Sequence, residues 1–235
     1  MGKRGRKPKE MVHITWSDNF AYAIGLLVSD GNLSKDGRHI IFTTIDPDLV
    51  RNFTIALGID VYIRSKSDQR KRTCYDVQFS DVRFYRFLNG IGIFQNKSKS
   101  IGAVQIPKEY TMSFVRGVFD GDGSVHSYFD KRWANSFLFY LSFASASKEF
   151  ILWLQSEILR ELGISGHIVK AKSSSVYQLR YAKQESVKLQ SALYPNWDFL
   201  SLKRKRLKIM KILSILSQSQ KDKSAQVVKL VDTLP

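Results

Sequence analysis

One twelve-residue pattern occurs twice in this chain. Residues 20–31 read FAYAIGLLVSDG and residues 112–123 read MSFVRGVFDGDG. Each is an apolar run at helical spacing, with Gly25 or Gly117 part-way along, and each ends in Asp-Gly. Two copies of one helix, each delivering a carboxylate at its C-terminal end, predict a pseudo-symmetric pair sharing one metal-dependent site. Glycine lacks a Cβ, so helices that meet at Gly25 and Gly117 can approach closely. Such packing would bring Asp30 and Asp122, 92 residues apart in sequence, together at the bottom of the pair.

The duplication extends beyond the helices, which makes it an internal repeat. Leu57-Gly58-Ile59 returns as Leu162-Gly163-Ile164, Tyr62-Ile-Arg-Ser-Lys66 as Ile168-Val-Lys-Ala-Lys172, and Tyr75-Asp-Val-Gln-Phe79 as Tyr177-Gln-Leu-Arg-Tyr181. From the motif aspartate to the glycine of Leu-Gly-Ile the second copy takes 41 residues and the first 28. The extra length falls around Tyr128 to Ser136, where a longer hairpin is expected.

Charge narrows the partner. The 235 residues hold 37 Lys+Arg against 21 Asp+Glu, a net charge of +16, which favours a polyanion and nucleic acid first of all. No apolar run approaches the ~20 residues needed to span a bilayer, and no secretory leader precedes the first motif. The single cysteine, Cys74, excludes an intramolecular disulfide framework and cysteine-cluster zinc sites. It falls in a strand-like run and reads as a buried structural thiol. The expected location is a reducing cytoplasm, nucleoid-associated in a bacterium, or an organelle matrix.

Local signals place the elements. Ser17 is a plausible N-cap for the first motif helix, with Asp18 favourable in its first turn. Asn32–Ser34 and Arg38–Ile45 read as paired strands, and Asp46-Pro47 opens a helix that ends near Gly58. Val61–Lys66 and Thr73–Ser80 alternate as strands, followed by a short helix over Val82–Leu88 and a loop-rich linker to Tyr110. The second half repeats the order: hairpin around Tyr128–Ser136, helix Lys148–Leu162, hairpin 167–182 and helix Lys183–Ser191. A last basic helix is expected from about Asp198 to Ser217, and its run Lys203-Arg-Lys-Arg206 reads as a set of phosphate contacts. The domains are then a basic flexible arm (1–12), a first repeat (13–105), a second repeat with its C-terminal helix (106–220) and a tail without fixed structure (221–235).

Both motifs resemble the LAGLIDADG homing endonucleases. Ala23-Ile-Gly-Leu-Leu-Val-Ser-Asp30-Gly31 and Val115-Arg-Gly-Val-Phe-Asp-Gly-Asp122-Gly123 fit the nine-residue motif position by position. The resemblance implies an α+β fold, a duplicated αββαββα with two antiparallel saddle-shaped sheets and the motif helices packed at the centre. It further implies a monomeric, site-specific endonuclease of the mobile-element type that cuts both strands of DNA at a long target site, leaving short 3′ overhangs. Asp30 and Asp122 would be the catalytic carboxylates and the ligands of Mg²⁺ or Mn²⁺, since hard oxygen donors suit such cations. Val28 stands at the motif's first acid where the second copy keeps Asp120, a position read here as carrying no ligand. In the family a basic or amide residue often ends the strand before the second helix of each half. Thr44-Ile45 and Ser145-Ala146 stand there instead, which leaves Lys66, Lys170 or Gln78 to order the attacking water, or makes cleavage weak. An RNA-splicing maturase and a catalytically idle DNA-binding protein on the same fold are the alternatives.

DNA reading would fall to the sheets, because antiparallel ribbons fit the major groove. The candidates are Arg64, Lys66, Arg70, Arg72 and Gln78 in the first half, and Lys131, Arg132, Lys170, Lys172, Gln178 and Arg180 in the second. Some of these would touch only phosphate. The run Arg4-Gly5-Arg6-Lys7-Pro8 resembles an AT-hook core with a lysine inserted. It would either enter an A·T-rich minor groove or remain a disordered basic tail.

Overall fold

The computed structural model describes residues 10–67, 71–130, 137–170 and 174–231, with side chains as far as Gln218. The first motif forms α1 (Asp18–Asp30) and the second α4 (Thr111–Asp122). The Ser17 hydroxyl accepts the Phe20 N–H at 3.1 Å and so starts α1. A single 3-10 turn, Lys108–Tyr110, leads into α4. Phe20 through Leu27 are all buried, so α1 lies inside the protein along its length.

Each motif helix runs directly into a four-stranded antiparallel sheet. The first sheet comprises β1 (Gly31–Leu33), β2 (His39–Thr44), β3 (Arg64–Ser67) and β4 (Thr73–Ser80), in the order β1-β2-β4-β3. The second comprises β5 (Ser124–Phe129), β6 (Phe137–Ser145), β7 (His167–Lys170) and β8 (Tyr177–Ala182), in the equivalent order β5-β6-β8-β7. Helices α2 (Pro47–Leu57), α3 (Val82–Gly90), α5 (Lys148–Leu162) and α6 (Gln184–Leu193) complete the two halves. The result is the duplicated αββαββα expected from the repeat.

Alternation sets which face of each sheet is buried. Ile40 and Phe42 of β2 and Val77 and Phe79 of β4 are buried, as are Leu141 and Phe143 of β6 and Leu179 and Tyr181 of β8. Phe42 stacks on Phe53 of α2 at 4.4 Å between centroids. Each such side chain is worth about 1.5–3 kcal/mol of burial. The opposite faces carry the polar residues. Cys74 is buried and free.

Several boundaries differ from the sequence reading. The strand expected from Val61 begins at Arg64, because only Arg64–Ser67 finds partners on β4 while Val61 and Ile63 pack on the core. The second hairpin pairs six residues, Ser124–Phe129, against three for β1 with β2. Residues 131–136, where the extra length was placed, lie outside the described residues. The last helix does not stop near Ser217: α7 runs from Lys203 to Val231, across the boundary drawn for a tail without fixed structure.

Candidate active site

The two motif helices make the most extensive helix packing of the fold, and glycine sets their separation. A Cβ on Gly25 would fall 2.2 Å from the Phe114 carbonyl oxygen, and one on Gly117 would fall 2.1 Å from that of Tyr22. Backbone, not a movable side chain, occupies the space. The crossing thus fixes where the helices end, and Asp30 and Asp122 stand at those ends.

The two carboxylates interact. Burial, then the neighbouring Asp122 charge, pushes the Asp30 carboxyl up to about 7, against the opposing pull of Lys205 and Lys97. Burial also raises Asp122, opposed by the same two lysines.

Those lysines are the residues that sequence reasoning missed. Lys97 and Lys205 are only 7% and 6% exposed. Lys97 Nζ donates to the Gly31 carbonyl, at the end of α1. Lys205 Nζ donates to the carbonyls of Phe119 (2.6 Å), Asp120 (2.8 Å) and Gly121 (3.2 Å), at the end of α4. Helix C-termini leave carbonyls unpaired and carry partial negative charge, so an ammonium is stable there. Burial lowers both amines to about 8, while the aspartates hold them up. In the sequence Lys97 sits inside a loop-rich linker, and Lys205 sits inside a basic run that reads as phosphate contacts. A positional signal exists nonetheless. Lys97 follows Asp30 by 67 residues and Lys205 follows Asp122 by 83, a difference close to the 13 extra residues of the second repeat. The other water-ordering candidates are engaged elsewhere: Lys66 pairs with Asp76 at 3.4 Å and Lys170 donates to the Tyr177 hydroxyl at 3.1 Å.

Asp120 is the buried centre of a network. Its carboxylate accepts from the Tyr22 hydroxyl (2.8 Å), the Tyr194 hydroxyl (2.6 Å) and the Leu202 N–H (2.6 Å). Burial raises its pKa, and these hydrogen bonds and Lys205 oppose the rise. The Leu202 carbonyl in turn accepts from the N–H groups of Lys205 and Arg206 and so opens α7. Asp120 therefore ties α1, α4 and the N-terminus of α7 together and positions Lys205 beside Asp122.

A divalent cation fits this donor set. Two mutually repelling carboxylates, Asp30 half-buried and Asp122 exposed, supply hard oxygen, and the hydrogen bonds of both lysines go to backbone carbonyls rather than to the carboxylates. Among the described residues no group of three or more His, Cys, Asp or Glu gathers, so this pair has no third such ligand among them. Few protein ligands, with water and phosphate oxygens for the rest, is the habit of Mg²⁺.

The candidate reading residues divide by face. Arg64 and Lys66 of β3 lie with Gln78 of β4 on the polar side of the first sheet. There Arg64 bonds the buried Asp76 and reaches the Gln78 amide oxygen at 3.1 Å. Gln178 and Arg180 share the matching side of the second sheet, with Arg180 Nη2 on the Gln178 oxygen at 2.7 Å. Lys170 pairs in register with Tyr177, which places it with Ile168 and Leu179 on the opposite face. Arg72 is exposed at the start of the β4 approach. Arg4, Arg6, Arg70, Lys131, Arg132 and Lys172 lie outside the described residues.

Comparison with known proteins agrees with this fold. The family model of the LAGLIDADG-like domain matches twice, over residues 17–92 and 109–189. The chain belongs to that family. An uncharacterized protein of Methanocaldococcus jannaschii, MJ0398, is 24% identical over 231 residues, covering 89% of this chain and 76% of its own. The homing endonuclease I-LtrWI, solved bound to target DNA, is similar with a TM-score of 0.58 at 10% identity, over 93% of this chain and 98% of that one. Variants of I-DmoI give 0.51 at 15% identity over 77% and 97%. Full-length DUF199/WhiA from Thermatoga maritima gives 0.53 at 14% identity over 94% and 70%. At such identities these structures share the fold and no more. Among the described residues no helix is long and apolar enough to cross a membrane.

Proposed function

We propose that this protein is a metal-dependent DNA endonuclease that cuts both strands at a specific site. The observation that carries the reading is the pairing of Asp30 and Asp122 with Lys97 and Lys205, one acid and one buried lysine at the end of each motif helix. A protein that only binds DNA has no use for two repelling carboxylates with matched, buried ammonium groups beside them.

The residues divide the work. Asp30 and Asp122 hold Mg²⁺ or Mn²⁺, which supplies an activated water and charge stabilisation at the phosphodiester. An I-DmoI variant solved with its target DNA in the presence of Mg²⁺ has the same fold, with a TM-score of 0.50. Lys97 Nζ and Lys205 Nζ stabilise the negative charge that develops on phosphate oxygens, one lysine for each strand. With pKa values of about 8 they are mostly protonated at neutral pH yet able to give up a proton to a leaving oxygen. The polar sheet faces, through Arg64, Lys66, Gln78, Gln178 and Arg180, contact base edges and phosphates, and the protein acts as a monomer because one chain contains both halves.

The test begins with selection of cleavable sites from a randomised duplex library in Mg²⁺, followed by cleavage of a plasmid carrying the selected site. Linear product with a defined end structure supports the reading. Specific retention of DNA in a gel without cleavage in Mg²⁺ or Mn²⁺ would leave an idle DNA-binding protein, and splicing of a structured intron RNA without DNA cleavage would leave a maturase.

A further inference from the structure

The two halves of the site are built from equivalent elements but do not carry equivalent charge. Ser34 follows Asp30 by four residues, as His126 follows Asp122. Gln78 and Arg180 hold the same place in β4 and β8, opposite Ile41 of β2 and Ser142 of β6. Counted from the buried lysines, Asn96 and Ser100 flank Lys97 where Arg204 and Lys208 flank Lys205. At these four places a neutral residue of the first half meets a basic one in the second.

Three of these groups, His126, Arg204 and Lys208, line one cavity. It has a volume of about 680 Å³, opens beside Asp122 and is lined by His126, Arg204, Lys205 and Lys208 among others. The His126 ring stacks on Tyr140 with centroids 4.7 Å apart, and the Arg180 guanidinium lies 5.6 Å from the centre of the same tyrosine ring. Lys208 Nζ is anchored to the Val125 carbonyl at 2.7 Å, which holds its charge at the cavity. Arg204 shares its charge with Asp46 at 2.6 Å, but neither Lys208 nor Arg180 has an ion-pair partner among the described residues. Lys208 and Arg180 are close enough to His126 to disfavour its protonation, after the effect of burial. Asp122 also lines the cavity and faces Lys205, but the cations outnumber the carboxylates; such an excess favours an anion, and a cavity of this size admits a nucleotide's phosphate and sugar.

We propose that this cavity is a phosphodiester subsite for one DNA strand only, so that the protein grips the strand beside Asp122 more firmly than the other and cuts the two strands in a fixed order. The subsite rests on the nucleic-acid reading above, and the order of cutting rests also on cleavage itself.

The test exchanges the asymmetric residues. The double variant His126→Ser/Lys208→Ser gives the second half the residues of the first, and Ser34→His/Ser100→Lys does the reverse. Duplex binding is measured against salt, and cleavage is followed with the two strands labelled separately. The first variant should flatten the salt dependence by roughly 0.9 log unit for each phosphate it no longer neutralises and abolish the lag between strands. The reverse variant should steepen the dependence. A parent that binds and cuts DNA while both variants keep its salt slope and strand order overturns the subsite and leaves the nuclease reading intact. If the parent binds no duplex, the nuclease reading fails by itself. The subsite is then read from the His126 imidazole NMR signals on titration with a thymidine dinucleotide: a saturable shift, abolished in Lys208→Ser, supports it, and no shift overturns it.

Discussion

The phenol of Tyr22 on the first motif helix donates to the carboxylate of Asp120 on the second at 2.8 Å, and both side chains are buried. The bond crosses the pseudo-symmetric interface but has no symmetric partner, since Val28 occupies the equivalent place in the first motif. Removing the two partners should therefore have unequal effects. Tyr22→Phe leaves Asp120 two other donors and should cost about 1–2 kcal/mol. Asp120→Ala strands two hydroxyls and the Leu202 N–H and should cost about 3 kcal/mol or more. Denaturant melts of the two variants measure the difference.

The helix crossing makes a second demand. At Gly25 or Gly117 an added methyl meets backbone at 2.2 or 2.1 Å, so the helices must separate. Gly25→Ala and Gly117→Ala should each destabilise by about 1–3 kcal/mol or more. They should also lower cleavage beyond the reduction in folded protein, because Asp30 and Asp122 move apart. Activity normalised to the folded fraction separates the two effects.

Much of the fold is legible in the sequence because the duplication states it. Ser17, Asp46-Pro47 and the glycines after α2 and α5 mark helix ends by local chemistry, and β4 follows from the alternation of Tyr75, Val77 and Phe79 with Asp76, Gln78 and Ser80. The acids are legible because a helix end carries them in both copies. Lys97 and Lys205 are not, since their role arises from where a linker and a terminal helix return to helix ends distant in sequence. The structural part played by Asp120 is hidden for a related reason: all three of its donors lie at least 74 residues away.

The raised pKa of Asp30 has a consequence for stability. An unfolded aspartate titrates near 3.9, whereas in the folded protein this carboxyl titrates at about 7. Between these values the folded state holds the extra proton, so this group's contribution is fully present below about pH 4 and is lost as pH rises to about 7. In chelator, the melting temperature of the parent should fall through that window relative to Asp30→Asn. Each kcal/mol corresponds to about 2–4 °C for a chain of this size. Millimolar Mg²⁺ should remove most of the difference at neutral pH by binding the folded state. Parallel pH profiles of the two proteins in chelator would contradict the raised pKa of Asp30.

The lysines should behave as catalytic rather than reading residues. Lys97→Met and Lys205→Met keep the aliphatic stem and remove the charge. Each should reduce cleavage by about 10²-fold, as removal of a preorganised electrostatic group does, while affinity for the selected site changes little. If the lysines act on separate strands, each variant should accumulate nicked plasmid, and the strand that stays intact should differ between the two.

The most direct measurement is cleavage of the selected site by Asp30→Asn and Asp122→Asn in Mg²⁺, with binding measured in Ca²⁺. Each variant keeps the shape of the carboxylate and removes one ligand charge. Cleavage should fall by about 10²-fold or more in each, and specific binding should persist, because the reading residues lie on the sheets. Parent-like cleavage by both variants would contradict a site built on these two acids.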